Sequence, residues 1–186
     1  MTRTQPAVIA TGKLVRLREK QIEDAQQDYD WRRDPELATY DAAVPISMSF
    51  RSFVATFADE LDHPGPHRRS YVVEDRETGR HIGNVMYYGY DPTRRDAEMG
   101  ITIGDRDYWS RGFGSDAVRA LLGYLFDELD LQRVYLHTLV WNDRARHAFR
   151  RAGFRPVREV HRGGYDFVLM DIRAEEFERD CKDAGE

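Results

Sequence analysis

Two stretches carry most of the information in this chain: Trp109-Ser110-Arg111-Gly112-Phe113-Gly114-Ser115-Asp116-Ala117, and Trp141-Asn142-Asp143-Arg144-Ala145 with its continuation Phe149-Arg150-Arg151-Ala152-Gly153-Phe154. The first sets Gly112 and Gly114 at the start of a helical stripe formed by Ala117, Val118, Leu121, Leu122, Leu125 and Leu129. Glycine lets the backbone turn sharply and lets a ligand come close to it. The first helical turn carries N–H groups with no partner inside the helix, and the helix dipole favours an anion there. The stretch is therefore a candidate anion site, for which a pyrophosphate is a natural guest. Without a ligand it reads as an ordinary glycine-containing helix start.

On either side of these stretches the apolar period changes. Residues 1–11 read as a loose lead-in and Lys13–Arg18 as a strand. Ile22–Arg33 is helical in composition and is broken by Asp34-Pro35, with Pro35 placed to open a short helix ending at Tyr40. Ser49 caps a helix with Phe50, Phe53, Val54, Phe57 and Leu61 on one face, ended by His63-Pro64-Gly65-Pro66. Ser70–Asp75, His81–Tyr90 and Ala97–Ile103 alternate as an antiparallel meander around the turns Glu77-Thr78-Gly79 and Asp91-Pro92-Thr93. A helix over Gly114–Leu129, a strand over Arg133–Val140 and a helix over Asp143–Ala152 follow, the last closed by Gly153. Strands over Phe154–Val160 and Tyr165–Arg173 form a final hairpin around Arg162-Gly163-Gly164. This order predicts one α/β domain (α+β mixed) over residues 12–175: a central mixed, mostly antiparallel sheet flanked by helices, with a C-terminal tail at 176–186.

Gly112-x-Gly114-x-x-Ala117 also fits the dinucleotide fingerprint G-x-G-x-x-G/A, but that motif directly follows a strand within repeated βαβ units. Here residues 104–111 intervene and a meander precedes, so a nicotinamide-dependent oxidoreductase is disfavoured. No G-K-[ST] occurs, which excludes a P-loop. With the second stretch added, the chain resembles the GCN5-related N-acetyltransferase (GNAT) superfamily. That superfamily has a Q/R-x-x-G-x-G/A loop, a helix, a strand, and an N-x-x-A/S-x-x-x-Y-x-x-x-G-F helix. The resemblance covers roughly residues 12–175. It is closest to the branch of ribosomal-protein N-terminal and spermidine acetyltransferases, through LVRLRE, AEMGITI, YWSRGFGSDAV and GGYDFVLMDI.

The resemblance implies an acetyl-coenzyme A-dependent N-acetyltransferase acting on a primary amine by direct attack on the thioester. Arg111, Gly112, Phe113, Gly114 and Ser115 would offer backbone N–H groups to the pyrophosphate of coenzyme A, and Asn142 would meet the pantetheine arm. Arg144 and Arg146 would neighbour the phosphates or simply form a solvated helix face. Trp109 stands where the motif often has Gln or Arg. Glu98 is the candidate catalytic residue: on the strand before the loop, a carboxylate can take the ammonium proton, directly or through water, or only attract the cation. Phe149 departs from the tyrosine that protonates the leaving thiolate in many members. Three readings remain: unassisted departure, another donor such as His147, Tyr165 or water, or a non-catalytic acyl-coenzyme A-binding sensor or scaffold. Such enzymes are often homodimers. His137, mid-strand, reads as a core histidine.

Composition sets the outer limits. The chain has 186 residues, 41% apolar and 33% charged, with 3 Trp, 10 Tyr and 9 Phe, enough to bury a core without staples. A mean hydropathy of −0.70 and no long apolar run argue against a membrane span. The polar N-terminus and single Cys181 suggest a cytoplasmic setting without disulfides. The six histidines form no metal pattern, so no metal is expected. The net charge of −5 disfavours nucleic acid. Charge is unevenly placed: residues 21–65 carry −7 and residues 141–160 carry +4. Either these are solvated faces, or they mark a cationic acceptor near the first and an anionic ligand near the second. On the second reading the acceptor is a polyamine, an aminoglycoside-like amine or a basic protein N-terminus.

Overall fold

The computed structural model of the chain describes residues 6–177; Cys181 and residues 178–186 of the expected tail lie outside them. Eight strands form one sheet in the order β1-β2-β3-β4-β5-β6-β8-β7. These are β1 (Val8–Thr11), β2 (Val15–Glu19), β3 (Arg69–Asp75), β4 (His81–Asp91), β5 (Asp96–Ile103), β6 (Arg133–Leu139), β7 (Arg155–Arg162) and β8 (Tyr165–Arg173). The helices are α1 (Ala25–Arg33), α2 (Pro35–Tyr40), α3 (Phe50–Asp62), α4 (Phe113–Asp127) and α5 (Asp143–Arg151). Every pairing is antiparallel except β5 with β6. The expected mixed, mostly antiparallel sheet is thus present, with two corrections at its ends. Val8–Thr11, assigned to a loose lead-in, form β1, because Val8, Ala10 and Thr11 pair with β2. Phe177, assigned to the tail, is buried against Phe126 of α4.

Local chemistry explains where the helices begin. Asp34 accepts from the N–H groups of Glu36 and Leu37 to start α2, and Ser49 accepts from Ser52 to start α3. Asn142 accepts from Ala145 to start α5. No side chain caps α4, which begins at Gly112 with φ +90°. The stripe of α4 is buried as its period requires: Ala117, Val118, Leu121, Leu122 and Leu125 are fully inaccessible. They pack with Ala97, Met99, Val134 and Leu136 from one sheet face, and Phe149 and Phe154 bring α5 and the start of β7 to the same core. The opposite face meets α1: Asn84, paired with Thr102 across β4 and β5, donates to Asp28 Oδ1 at 2.6 Å.

Asp116, in the first turn of α4, holds the β1–β2 hairpin. Its carboxylate accepts from the backbone N–H groups of Lys13, Leu14 and Val15 at 3.0, 2.7 and 3.0 Å. Gly12 is required beside it, since an added Cβ would lie 2.3 Å from Asp116 Oδ2. On the other face, Arg18 bonds Asp24 through both terminal nitrogens at 2.8 Å and reaches Glu74 through Nε at 2.8 Å. Burial opposes ionisation of Asp24, but hydrogen bonds from Arg18 and the Gln21 N–H, with His81 Nδ1 3.4 Å away, outweigh it and hold the carboxyl well below the usual range. Asp34 and Asp75 are lowered in the same way, against some burial, by Arg106 and by Thr78 with backbone N–H groups.

Two stability predictions follow from these contacts. Carboxyls lowered in the folded state contribute stability above their unfolded pKa, and that stability is lost as pH falls. Melting temperature should therefore hold from neutrality to about pH 5 and drop steeply below about pH 4, as read by circular dichroism. Asp116→Ala removes three bonds to a charged acceptor, two of them at exposed N–H groups that water can serve. It should cost about 1–2 kcal/mol, a fall of roughly 3–6 °C in Tm.

Candidate active site

β5 and β6 pair over only three residues, Asp96 with Arg133, Ala97 with Val134 and Glu98 with Tyr135. Beyond Glu98 the two strands part. β5 stays with β4 through Ile103, and β6 stays with β8 through Leu139. Between them lies a groove of about 1080 Å³, walled by Met99–Ile103 on one side and Leu136–Leu139 on the other. The facing backbone edges have no strand between them, so an extended ligand can enter and hydrogen-bond as a strand would.

The glycine loop borders the groove. Gly112, Gly114 and Ser115 line it at the uncapped start of α4. An added Cβ at Gly114 would meet only Ile103 Cγ1, at 3.7 Å, so the glycine keeps the helix start open toward the groove. Trp109 anchors the loop, its indole N–H donating to the Ile103 carbonyl at 2.6 Å. Arg144 lies over the Trp109 ring at 3.6 Å and near Tyr40 at 4.6 Å, at the groove wall. Asn142 is buried and lines the groove, with its side-chain oxygen committed to the α5 cap.

The side chains of Arg111, Phe113 and Arg146 do not line the groove; for Arg111 and Phe113 the expected contact is through the backbone N–H. Arg111 turns back to donate to the Asp107 carbonyl at 2.9 Å and lies over Tyr108 and Phe113. The Phe113 ring is buried against Tyr108 in the core, leaving only its backbone for a ligand. Arg146 donates to the Val140 carbonyl at 2.8 Å and to Asp143 at 3.2 Å. Arg151, five residues beyond Arg146 at the end of α5, lines the groove.

A second cavity of about 280 Å³ opens beside the point where the strands part, lined by Asp41, Tyr88, Glu98, His137, Arg162 and Tyr165 among others. Glu98 is buried and accepts from His137 Nδ1 at 2.7 Å. Tyr88, opposite Glu98 in the β4–β5 register, is pushed above the usual phenol range by burial and by the Glu98 carboxylate. His137 and Tyr88 border both cavities, whereas Glu98 borders only the smaller. His137, which the sequence reads as a core histidine, lies on the sheet face away from Val134 and Leu136, which pack in the core with α4, and is bonded to Glu98.

The acidic balance of residues 21–65 mostly does not face the site. Asp24 pairs with Arg18, Asp28 with Lys20, and Asp34 and Glu36 with Arg106. The carboxylates that reach the cavities from this region besides Asp28 are Asp41, which accepts from the Thr102 hydroxyl at 3.2 Å, and Glu60. Phe149 lines the groove as a buried ring, T-shaped against Phe154, with no proton to offer. Among the described residues no group of three or more histidines, cysteines or acids is placed to hold a metal, and no helix is long and apolar enough to cross a membrane.

Comparison with known proteins agrees with this geometry. The chain is 30% identical over 119 residues to an uncharacterized N-acetyltransferase of Bacillus licheniformis, covering 63% of this chain and 66% of that protein. It is 34% identical over 93 residues to the spermidine N(1)-acetyltransferase of Vibrio cholerae, covering 50% and 51%. The match thus spans about half to two thirds of these relatives. The fold superposes on a crystal structure of spermidine N-acetyltransferase from Vibrio cholerae in complex with CoA and spermine. The TM-score is 0.78 at 23% identity, over 89% of this chain and 98% of that one. Residues 15–155 match the family described as the acetyltransferase (GNAT) domain, and the chain belongs to that family.

Proposed function

We propose that this protein transfers the acetyl group of acetyl-coenzyme A to a primary amine, with a small cationic amine as acceptor. The observation that carries this reading is the parting of β5 from β6, which leads straight to the uncapped N-terminus of α4. The residues present suit coenzyme A. The N–H groups of Gly112, Phe113, Gly114 and Ser115 receive the pyrophosphate, the unpaired edge of β5 receives the pantetheine arm with Asn142 beside it, and Arg144 and Arg151 offset the phosphate charge. The thioester then lies near the junction of the two cavities.

The acceptor side suits an ammonium. Glu98 and Asp41 supply negative charge, and Tyr88, Tyr165 and Phe167 supply ring faces that hold a cation and its carbon chain. Arg162 at the same rim works against a long, uniformly cationic chain lying across it, so the acceptor is short or presents one amine at a time. Polyamines, aminoglycoside-like amines and a protein N-terminus all offer such a group. The Glu98–His137 pair takes the ammonium proton so that the nitrogen regains its lone pair.

Acetyl-coenzyme A at 100 times its Kd should stabilise the protein by about 2.7 kcal/mol in a thermal melt, and NADH should not. Thiol release scored against spermidine, spermine, kanamycin and a basic peptide should single out one amine class. Firm binding without thiol release on any amine would favour the non-catalytic acyl-coenzyme A module, which Phe149 keeps in play. Asn142→Ala and Asn142→Ser separate two roles of one side chain. Alanine loses the cap, at about 1 kcal/mol, as well as the ligand contact, whereas serine keeps the cap. Both should weaken coenzyme A binding, and only alanine should lower the melting point of the free protein.

A further inference from the structure

We infer that His137, held by Glu98, is the group that touches the acceptor nitrogen, and that it passes the proton it takes to the leaving sulfur. The inference rests on the acetyl-transfer reading above and divides the work of that site. A carboxylate oxygen only accepts, so Nδ1–H donates the 2.7 Å bond to Glu98, and in the neutral imidazole the lone pair is then on Nε2. His137 stands two residues beyond the last β5–β6 pair, where the strands have just parted. It borders both the groove and the smaller cavity, whereas Glu98 borders only the latter. Of the two, His137 alone can serve both the acceptor nitrogen and the sulfur, and Glu98, confined to the acceptor side, adds negative charge there and holds the imidazole in place.

The remaining donors fit less well. Phe149 has none, and His147 and Tyr165 are exposed at the two rims. Tyr88 also borders both cavities, but its hydroxyl already carries a proton and, pushed above the usual range by burial and Glu98, releases it reluctantly. The imidazole contacts Glu98 on β5 and the rings of Tyr135 on β6 and Phe167 on β8, and it shares the smaller cavity with Tyr88, Asp41, Arg162 and Tyr165; the other titratable groups of α5 that line the groove are Asp143, Arg144, His147 and Arg151.

The steps balance. Nε2 takes one proton from the ammonium. The neutral nitrogen forms a bond to the thioester carbonyl carbon, whose π pair moves to oxygen. The oxygen pair returns as the C–S bond breaks with its electrons on sulfur, and the imidazolium gives its proton to that sulfur. The nitrogen sheds its second proton to solvent, so amide, thiol and one net proton result.

The test compares wild type, His137→Gln, Glu98→Gln and Tyr88→Phe on two acceptors: an alkylamine that is an ammonium at neutral pH, and hydroxylamine, which is already neutral there. His137→Gln should keep the acetyl-coenzyme A thermal shift and lose roughly 10²-fold in kcat on the alkylamine, with the acid limb of the pH–rate profile gone. On hydroxylamine its deficit should narrow about tenfold, since the proton-abstraction share of the general acid–base term is no longer needed. Glu98→Gln should lose less and keep the limb, and Tyr88→Phe, which keeps the ring face and removes the hydroxyl, should lose less in kcat than His137→Gln. Equal losses on both acceptors, an intact acid limb in His137→Gln, or a larger loss in Tyr88→Phe would overturn the inference. If His137→Gln does not bind acetyl-coenzyme A, Glu98→Gln carries the comparison, and its deficit must also narrow on hydroxylamine. A wild type that turns over no amine overturns the acetyl-transfer reading itself, and is thereby distinguished from failure of this inference alone.

Discussion

The separation of β5 from β6 after three paired residues governs the rest of the molecule. Two adjacent strands that stop pairing leave backbone donors and acceptors without partners, which an interior tolerates poorly. Here the loss is confined, because β5 keeps its full ladder to β4 and β6 keeps its ladder to β8. Each strand is secured on its outer side and open on its inner side. The stripe of α4 fills the space beneath, with Val118 and Leu122 packed in the core that Met99 and Leu136 bring from the two strands. What remains is a slot with polar edges and an apolar floor.

The loops around that slot are held by groups that the ligand does not have to supply. Trp109 fastens the glycine loop to the end of β5, Asp116 ties the β1–β2 hairpin to the first turn of α4, and Asn142 starts α5. On the far face, Arg18, Asp24, Glu74, Asp28 and Asn84 form a buried polar set that joins α1 to the sheet. The site is thereby organised without its ligand, which reduces the ordering cost of binding. The uncapped N–H groups of α4 are the exception, and they are the ones directed at the groove.

Buried charge follows the same rule of local partnership. Glu98 lies in a buried position with His137 and Tyr88 around it, and Asp41 takes the Thr102 hydroxyl. Four of the ten acids of residues 21–65 pair with Arg18, Lys20 and Arg106, and three of the ten (Asp28, Asp41 and Glu60) border the cavities, so the regional charge of the sequence says little about the cavity. Sequence charge sums residues by position along the chain, whereas the field in a pocket depends on which of them remain unneutralised within about one Debye length.

The sequence determined what is local. Glycines at a helix start, Pro35 at a first helical position, Ser49 as a cap, and alternation in β3, β4 and β5 all act within a few residues, so their reading survives folding. The glycine loop and the Asn142 helix were legible for that reason, and with them the family. The short β1 was missed because its four residues are specified by pairing with β2 rather than by their own pattern. The sequence could not say where the long side chains of Arg111 and Arg146 turn, because that direction is set by the carbonyls within their reach, those of Asp107 and Val140. The pairing of Glu98 with His137 joins residues 39 positions apart on strands that touch only briefly. No periodicity within either strand encodes it, so it exists only once the sheet has closed.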